Sequence, residues 1–125
     1  MSQSPSESSS SSSIVQNGDW TILTFEPRMA QIGESNVLEA RDLLEAATAK
    51  AIEQQPANLL LDLTGVSFFG SSFIEGMYRA WKAITAADGK FALSNCSEHC
   101  QEVLHVTKLG DLWTIYETRD QAVAS

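Results

Sequence analysis

Basic residues are scarce in this chain: eight lysines and arginines stand against sixteen aspartates and glutamates, a net charge of −8 over 125 residues. That balance argues against nucleic-acid binding, which wants a basic patch, and it is compatible with docking onto a basic protein surface. No apolar run is long enough to span a bilayer, and the start lacks the basic opening and apolar centre of a signal peptide, so a cytoplasmic location is expected. Catalytic signatures are missing too. There is no G-x-S-x-G elbow, and the first histidine beyond Ser71-Ser72 is the distant His99. P-loop and G-x-G-x-x-G fingerprints are absent, so the chain is expected to be no enzyme and to need no cofactor. The only cysteines and histidines are Cys96, His99, Cys100 and His105. A zinc site needs convergent ligands. On a helix from Ser97, Cys100 points to the core with Val103 and Leu104 while His99 points away, which predicts buried thiols, surface imidazoles and no metal. A Cys96–Cys100 disulfide is unexpected in the cytosol.

What is present suits one globular domain, with 43% of the residues apolar. The first thirteen residues, MSQSPSESSSSSS, hold nine serines and no large apolar side chain beyond the initiating methionine. Such a segment cannot bury enough surface to offset its ordering entropy, so residues 1–13 are expected to form a disordered tail and 14–125 the domain. Ile14 to Phe25 predicts a hairpin turning at Asn17-Gly18. A helix is expected over Val37–Gln54, from the spacing of Val37, Ala40, Leu44, Ala47 and Ala51 and the stop at Pro56. Leu59–Leu63 is a continuous apolar run, as in a strand buried on both faces. A helix from the serine turn to about Asp88-Gly89, a strand at Phe91–Ser94, a helix at Glu98–Val106, a strand at Trp113–Tyr116 and a helix from Arg119 complete the chain. Strands alternating with helices after a hairpin predict a mostly parallel sheet.

The most informative stretch runs from Leu59 to Ser72, LLLDLTGVSFFGSS. It places two hydroxyls where a buried strand gives way to a helix whose apolar face is Ile74, Met77, Trp81 and Ile84. Free N–H groups and the helix dipole favour negative charge there. Ser72-Phe73-Ile74-Glu75 also fits a capping box. Ser72 can therefore be a helix cap, a phosphate acceptor, or both. In the same way Asn36 and Glu39 fit the N-cap and third positions of the first helix.

These residues resemble the STAS domain family, the module shared by bacterial anti-sigma-factor antagonists and the tails of sulfate transporters. The family carries a hydrophobic strand, a D-S-S-G turn and a helix rich in small and apolar residues. Gly70-Ser71-Ser72-Phe73 occupies that turn here. Lys90–Asn95 (KFALSN), Val103–Leu112 (VLHVTKLGDL) and Ile115–Tyr116 follow in the family's order, so the likeness covers about residues 14 to 124.

The resemblance implies an α/β fold: a single STAS-like domain, its N-terminal hairpin feeding a mostly parallel four- to five-stranded sheet with about four helices. It implies an anti-sigma-factor antagonist that binds an anti-sigma factor with serine kinase activity. That partner spends ATP to phosphorylate Ser72, with Ser71 the less favoured acceptor. The implied partner-binding residues are Asn36, Gly70, Ser71, Ser72, Phe73 and Glu75. Three of these depart from the family's pattern. Gly70 replaces the acidic residue of the turn, Phe73 its glycine, and Asn36 the aspartate of a G-x-L-D signature. The departures support an alternative, a non-switching scaffold or accessory subunit of a signalling or lipid-transport assembly.

Overall fold

The computed structural model describes residues 12–124, and the expected tail lies outside them except for its last two positions. Those two are tied in. Ser12 Oγ accepts the Glu26 N–H, and Ser13 opens the first strand with its hydroxyl 2.6 Å from that of Thr24. Strand β1 (Ser13–Asn17) pairs antiparallel with β2 (Trp20–Thr24), with Asn17 opposite Trp20. The loop is therefore Gly18-Asp19, one residue later than expected. Gly18 alone takes a positive φ, +60°, which places the glycine first as in a II′ turn.

The short strand β3 (Gln31–Ile32) precedes helix α1 (Val37–Ile52). Strand β4 (Asn58–Asp62) follows, then β5 (Phe68–Phe69) and helix α2 (Ser71–Ala86). Strand β6 (Phe91–Ser94), helix α3 (Glu98–Val106), β7 (Thr114–Tyr116) and α4 (Arg119–Ala124) complete the order. The main sheet runs β1-β2-β4-β6-β7, parallel throughout except for the hairpin. β3 and β5 form a separate parallel pair. The expectation of a mostly parallel sheet of four to five strands with about four helices is met by five strands and four α-helices among the described residues.

Alternation along the strands sorts the core into two faces. Leu23, Leu59, Leu61, Phe91 and Leu93 point to one side, where α1, α2 and α3 cover them with Leu44, Met77, Ile84 and Leu104. Trp20, Ile22, Leu60 and Ala92 point to the other, where only Ala122 and Val123 of α4 and Tyr116 of β7 pack on them. Successive crossovers move across the sheet in one direction, so the three long helices share a face.

The C-terminus of α2 shows how closely this sheet is built. Asp88 takes the left-handed conformation, φ 63°, and the Gly89 N–H returns to Ile84 O at 2.9 Å. Gly89 itself is required by crowding: a Cβ there would lie 1.7 Å from Ala57 O. That carbonyl precedes β4, which Lys90 holds through Leu59 N–H to Lys90 O at 2.8 Å. Gly89→Ala should thus reach the upper end of the roughly 1–3 kcal/mol typical of overpacking. Urea unfolding checks this; an unchanged midpoint would show that the β4–β6 entry yields freely.

Candidate functional site

The serine turn is set by backbone. Gly70, extended at φ −90° and ψ −179°, is the N-cap of α2, and its carbonyl accepts from Phe73 and Ile74 N–H at 3.1 and 3.2 Å. Its own N–H donates to Ile32 O at 2.9 Å, tying the turn to the end of β3. The helix therefore begins at Ser71. Ser72 is its second residue rather than its cap, and no side-chain cap bond exists, so the capping box with Glu75 does not form. With Gly70 at the cap, Ser72 lies inside the first turn, where its hydroxyl has no capping role. Both serines are exposed, and among the described residues neither their N–H groups nor their hydroxyls have a hydrogen-bond partner. A helix start of this kind favours added negative charge by about 0.3–1 kcal/mol.

The loop before α1 meets this turn. Ile32, Gly33, Glu34, Val37, Phe68, Gly70, Ser71 and Ser72 line a shallow groove of about 290 Å³. Phe68, 38% exposed, separates it from a second hollow shared with Gln31, Ser67 and His99. The His99 ring tilts over Phe68 with centroids 5.2 Å apart.

Asn36 belongs to this loop, but its side chain turns back on it. Oδ1 accepts the Gly33 N–H at 2.9 Å and Nδ2 donates to Gln31 O at 3.0 Å. It makes no side-chain cap for α1, and Glu39 pairs with Arg28 instead of completing a capping box. The amide thus shapes the loop, with one bond at Oδ1 and one at Nδ2. Phe73 lies beneath the turn. It is fully buried, edge-on to Phe25 at 5.9 Å and beside Phe69 at 5.8 Å, so it anchors α2 from below and presents no ring to a partner. Glu75 is exposed one turn into α2, its Oε1 3.8 Å from Arg41 Nη1.

Two positions that matter here could not be found from the sequence. Phe68 reads as part of a buried run, and only the β3–β5 pairing turns it outward. Asp62, at the end of β4, is a buried carboxylate that accepts from Thr64 N–H, Thr64 Oγ1 and Asn95 Nδ2 at 2.7–3.2 Å and lies 3.6 Å from Arg119. It clasps three connections at the strand ends.

The cysteine and histidine group does not converge. Cys100 is buried, Cys96 is half-buried rather than buried as expected, and both imidazoles are exposed. Among the described residues no three of His, Cys, Asp and Glu could hold a metal. Burial, with a smaller contribution from Cys100, pushes the Cys96 thiol up to about 12. Because the neutral thiol is favoured by folding, this stabilisation is complete below the ordinary thiol range and erodes as pH rises from about 9 toward 12. Cys96 should therefore react with a thiolate-selective reagent at pH 8 many times more slowly in folded than in unfolded protein. Equal rates would overturn it.

A family model, the STAS domain, matches residues 29–122. This chain belongs to the STAS family. An anti-sigma-factor antagonist (STAS) domain protein from Planctomyces limnophilus is 35% identical, with a TM-score of 0.84 over 91% of this chain and 96% of that one. A putative anti-sigma factor antagonist from Thermotoga maritima shares the fold at 22% identity, TM-score 0.70, over 90% of each chain. An anti-sigma factor antagonist from Mycobacterium paratuberculosis does so at 17%, TM-score 0.73, over 91% of each. No match to a curated protein was found. Among the described residues no helix is long and apolar enough to cross a membrane.

Proposed function

We propose that this STAS domain is a cytoplasmic anti-sigma-factor antagonist switched at Ser72. In its unmodified form it binds an anti-sigma factor with serine kinase activity and so frees the sigma factor. The kinase then transfers the γ-phosphoryl group of ATP to Ser72 Oγ, a base on the kinase takes the hydroxyl proton, and ADP leaves. The domain contributes the acceptor and no catalytic group. The observation that carries this is the exposed, uncapped Ser72 hydroxyl beside two unpartnered N–H groups and at the lip of the Glu34–Phe68 groove. The name borne by the 35% identical relative supports the partner class. Gly70, Ser71 and the groove walls would form the contact surface.

Asn36 favours a second reading, a scaffold that does not switch. Where the family places a charge, this chain has an uncharged amide that is bonded at both ends to its own loop. Incubation with the cognate kinase-type anti-sigma factor and ATP, followed by intact mass, separates the two. Switching requires one phosphate on the wild type and none on Ser72→Ala; no incorporation on the wild type favours the scaffold. The alanine variant is a clean control, because no cap bond is lost and its stability should stay within about 0.5 kcal/mol of wild type.

A further inference from the structure

Arg41 of α1 lies directly over Gly76 of α2. A Cβ at position 76 would stand 3.2 Å from Arg41 Cγ and 3.4 Å from Nε, so the missing side chain is what lets the arginine cross the helix there. Its Nη1 then reaches Glu75 Oε1 at 3.8 Å, an open ion pair with the carboxylate side chain 64% exposed. Ser72 precedes Gly76 by four residues and Glu75 by three. Neighbours at those spacings stand about 5–6 Å apart at their Cβ atoms. Both contacts that Arg41 makes on α2 are thus one helical turn from Ser72, and its anion there is weaker than a phosphate.

We infer that Arg41 is the internal counter-ion of phosphorylated Ser72, drawn from Glu75 to the phosphate when the group is added. This deepens the proposed switch and rests on Ser72 being its site. A phosphate brings about −1.5 to −2 charges and three acceptor oxygens, and a guanidinium's planar fork matches it better than a single carboxylate oxygen at long range. The exchange changes the surface twice: a dianion is added at Ser72, and Glu75 loses its cation. A docked partner then meets an unpaired carboxylate as well as the phosphate. Gly76 is a positioning residue in this scheme, since a methyl group there would push the arginine off its path.

The test needs no kinase. Phosphoserine is placed at position 72 of the full chain by codon reassignment, and its second ionisation is followed by phosphorus NMR. In the wild type it should fall below the ordinary value of about 6. Arg41→Gln should raise it by roughly half a unit or more, and Arg41→Met, which keeps the apolar stem over Gly76, should do the same. The Arg41 Nε–H resonance should shift between unmodified and phosphorylated wild type, a readout that requires no variant. Arg28→Gln, on another part of the surface, should change nothing. Equal phosphate ionisation in wild type and both Arg41 variants, or an Arg41 signal unmoved by phosphorylation, would overturn the inference. Failure of any kinase to modify Ser72 would instead sink the switching reading and leave these measurements standing.

Discussion

Replacing Phe73 by alanine should destabilise the domain by about 3–5 kcal/mol, the range for deleting a fully buried aromatic ring. Its ring closes the space between Phe25, which follows β2, and Phe69 of β5, at centroid distances of 5.9 and 5.8 Å. No other side chain of the first turn of α2 is buried. The loss would therefore fall on the element that carries both serines, and binding should suffer with stability. Phe73→Leu separates the two effects: it keeps most of the volume, should cost about 1 kcal/mol, and should leave partner binding intact. Urea unfolding measures the first quantity and titration with the partner the second. A Phe73→Ala loss below about 1 kcal/mol would show that the cluster re-forms without the ring. Loss of binding in a stable Phe73→Leu would return the residue to the partner surface.

Ser72→Asp should weaken the complex with the anti-sigma factor on the order of a hundredfold while leaving the fold in place. One added charge facing a partner carboxylate at ~6 Å and an effective dielectric of ~20 costs roughly 3 kcal/mol. Within the domain the effects nearly cancel. The helix start favours the new carboxylate by about 0.3–1 kcal/mol, and repulsion from Glu75 three residues on opposes it by about 0.2–0.5 kcal/mol. Ser71→Asp, one residue earlier, serves as the comparison. Binding by calorimetry at low and high salt would decide: undiminished affinity of Ser72→Asp removes Ser72 from the interface, and an equal loss at Ser71 removes the distinction between the two.

Much of this fold was legible because its strongest signals are local. Leu59–Leu63 reads as a strand buried on two faces, and the α1 stripe named its core residues almost one by one, whereas of the α2 stripe only Met77 and Ile84 are buried and Phe73, Gly76 and Ala80 were missed. The misreadings occur where backbone replaced side chain. Ser72-x-x-Glu75 and Asn36-x-x-Glu39 both have the composition of capping boxes, yet α2 starts at Ser71 with Gly70 at its cap, and the Asn36 side chain folds back on Gly33. The composition of a cap does not say which oxygen arrives first. Phe73 looked like an intrusion at the site because its direction is set by where α2 starts, two residues earlier than a Ser72 cap would place it. The pairing of Arg41 with Gly76 joins positions far apart in sequence across two helices, and no periodicity could reveal it.

The unequal covering of the sheet has a practical consequence for experiments. Trp20 sits on the face closed by α4, whereas Trp81 and Trp113 pack with the cluster on the three-helix side. Fluorescence from Trp20 would therefore report the lifting of Arg119–Ala124 separately from global unfolding. A fusion or spectroscopic label attached after Ser125 would load the thinnest cover in the molecule. Ser13 lies opposite Thr24, and Thr24 beside Asp62, so a label ahead of Ser12 stands at the end of the sheet from which the chain leads to the serine turn, whereas Val123 lines a hollow with Gly18, Asp19 and Trp20 at the other end.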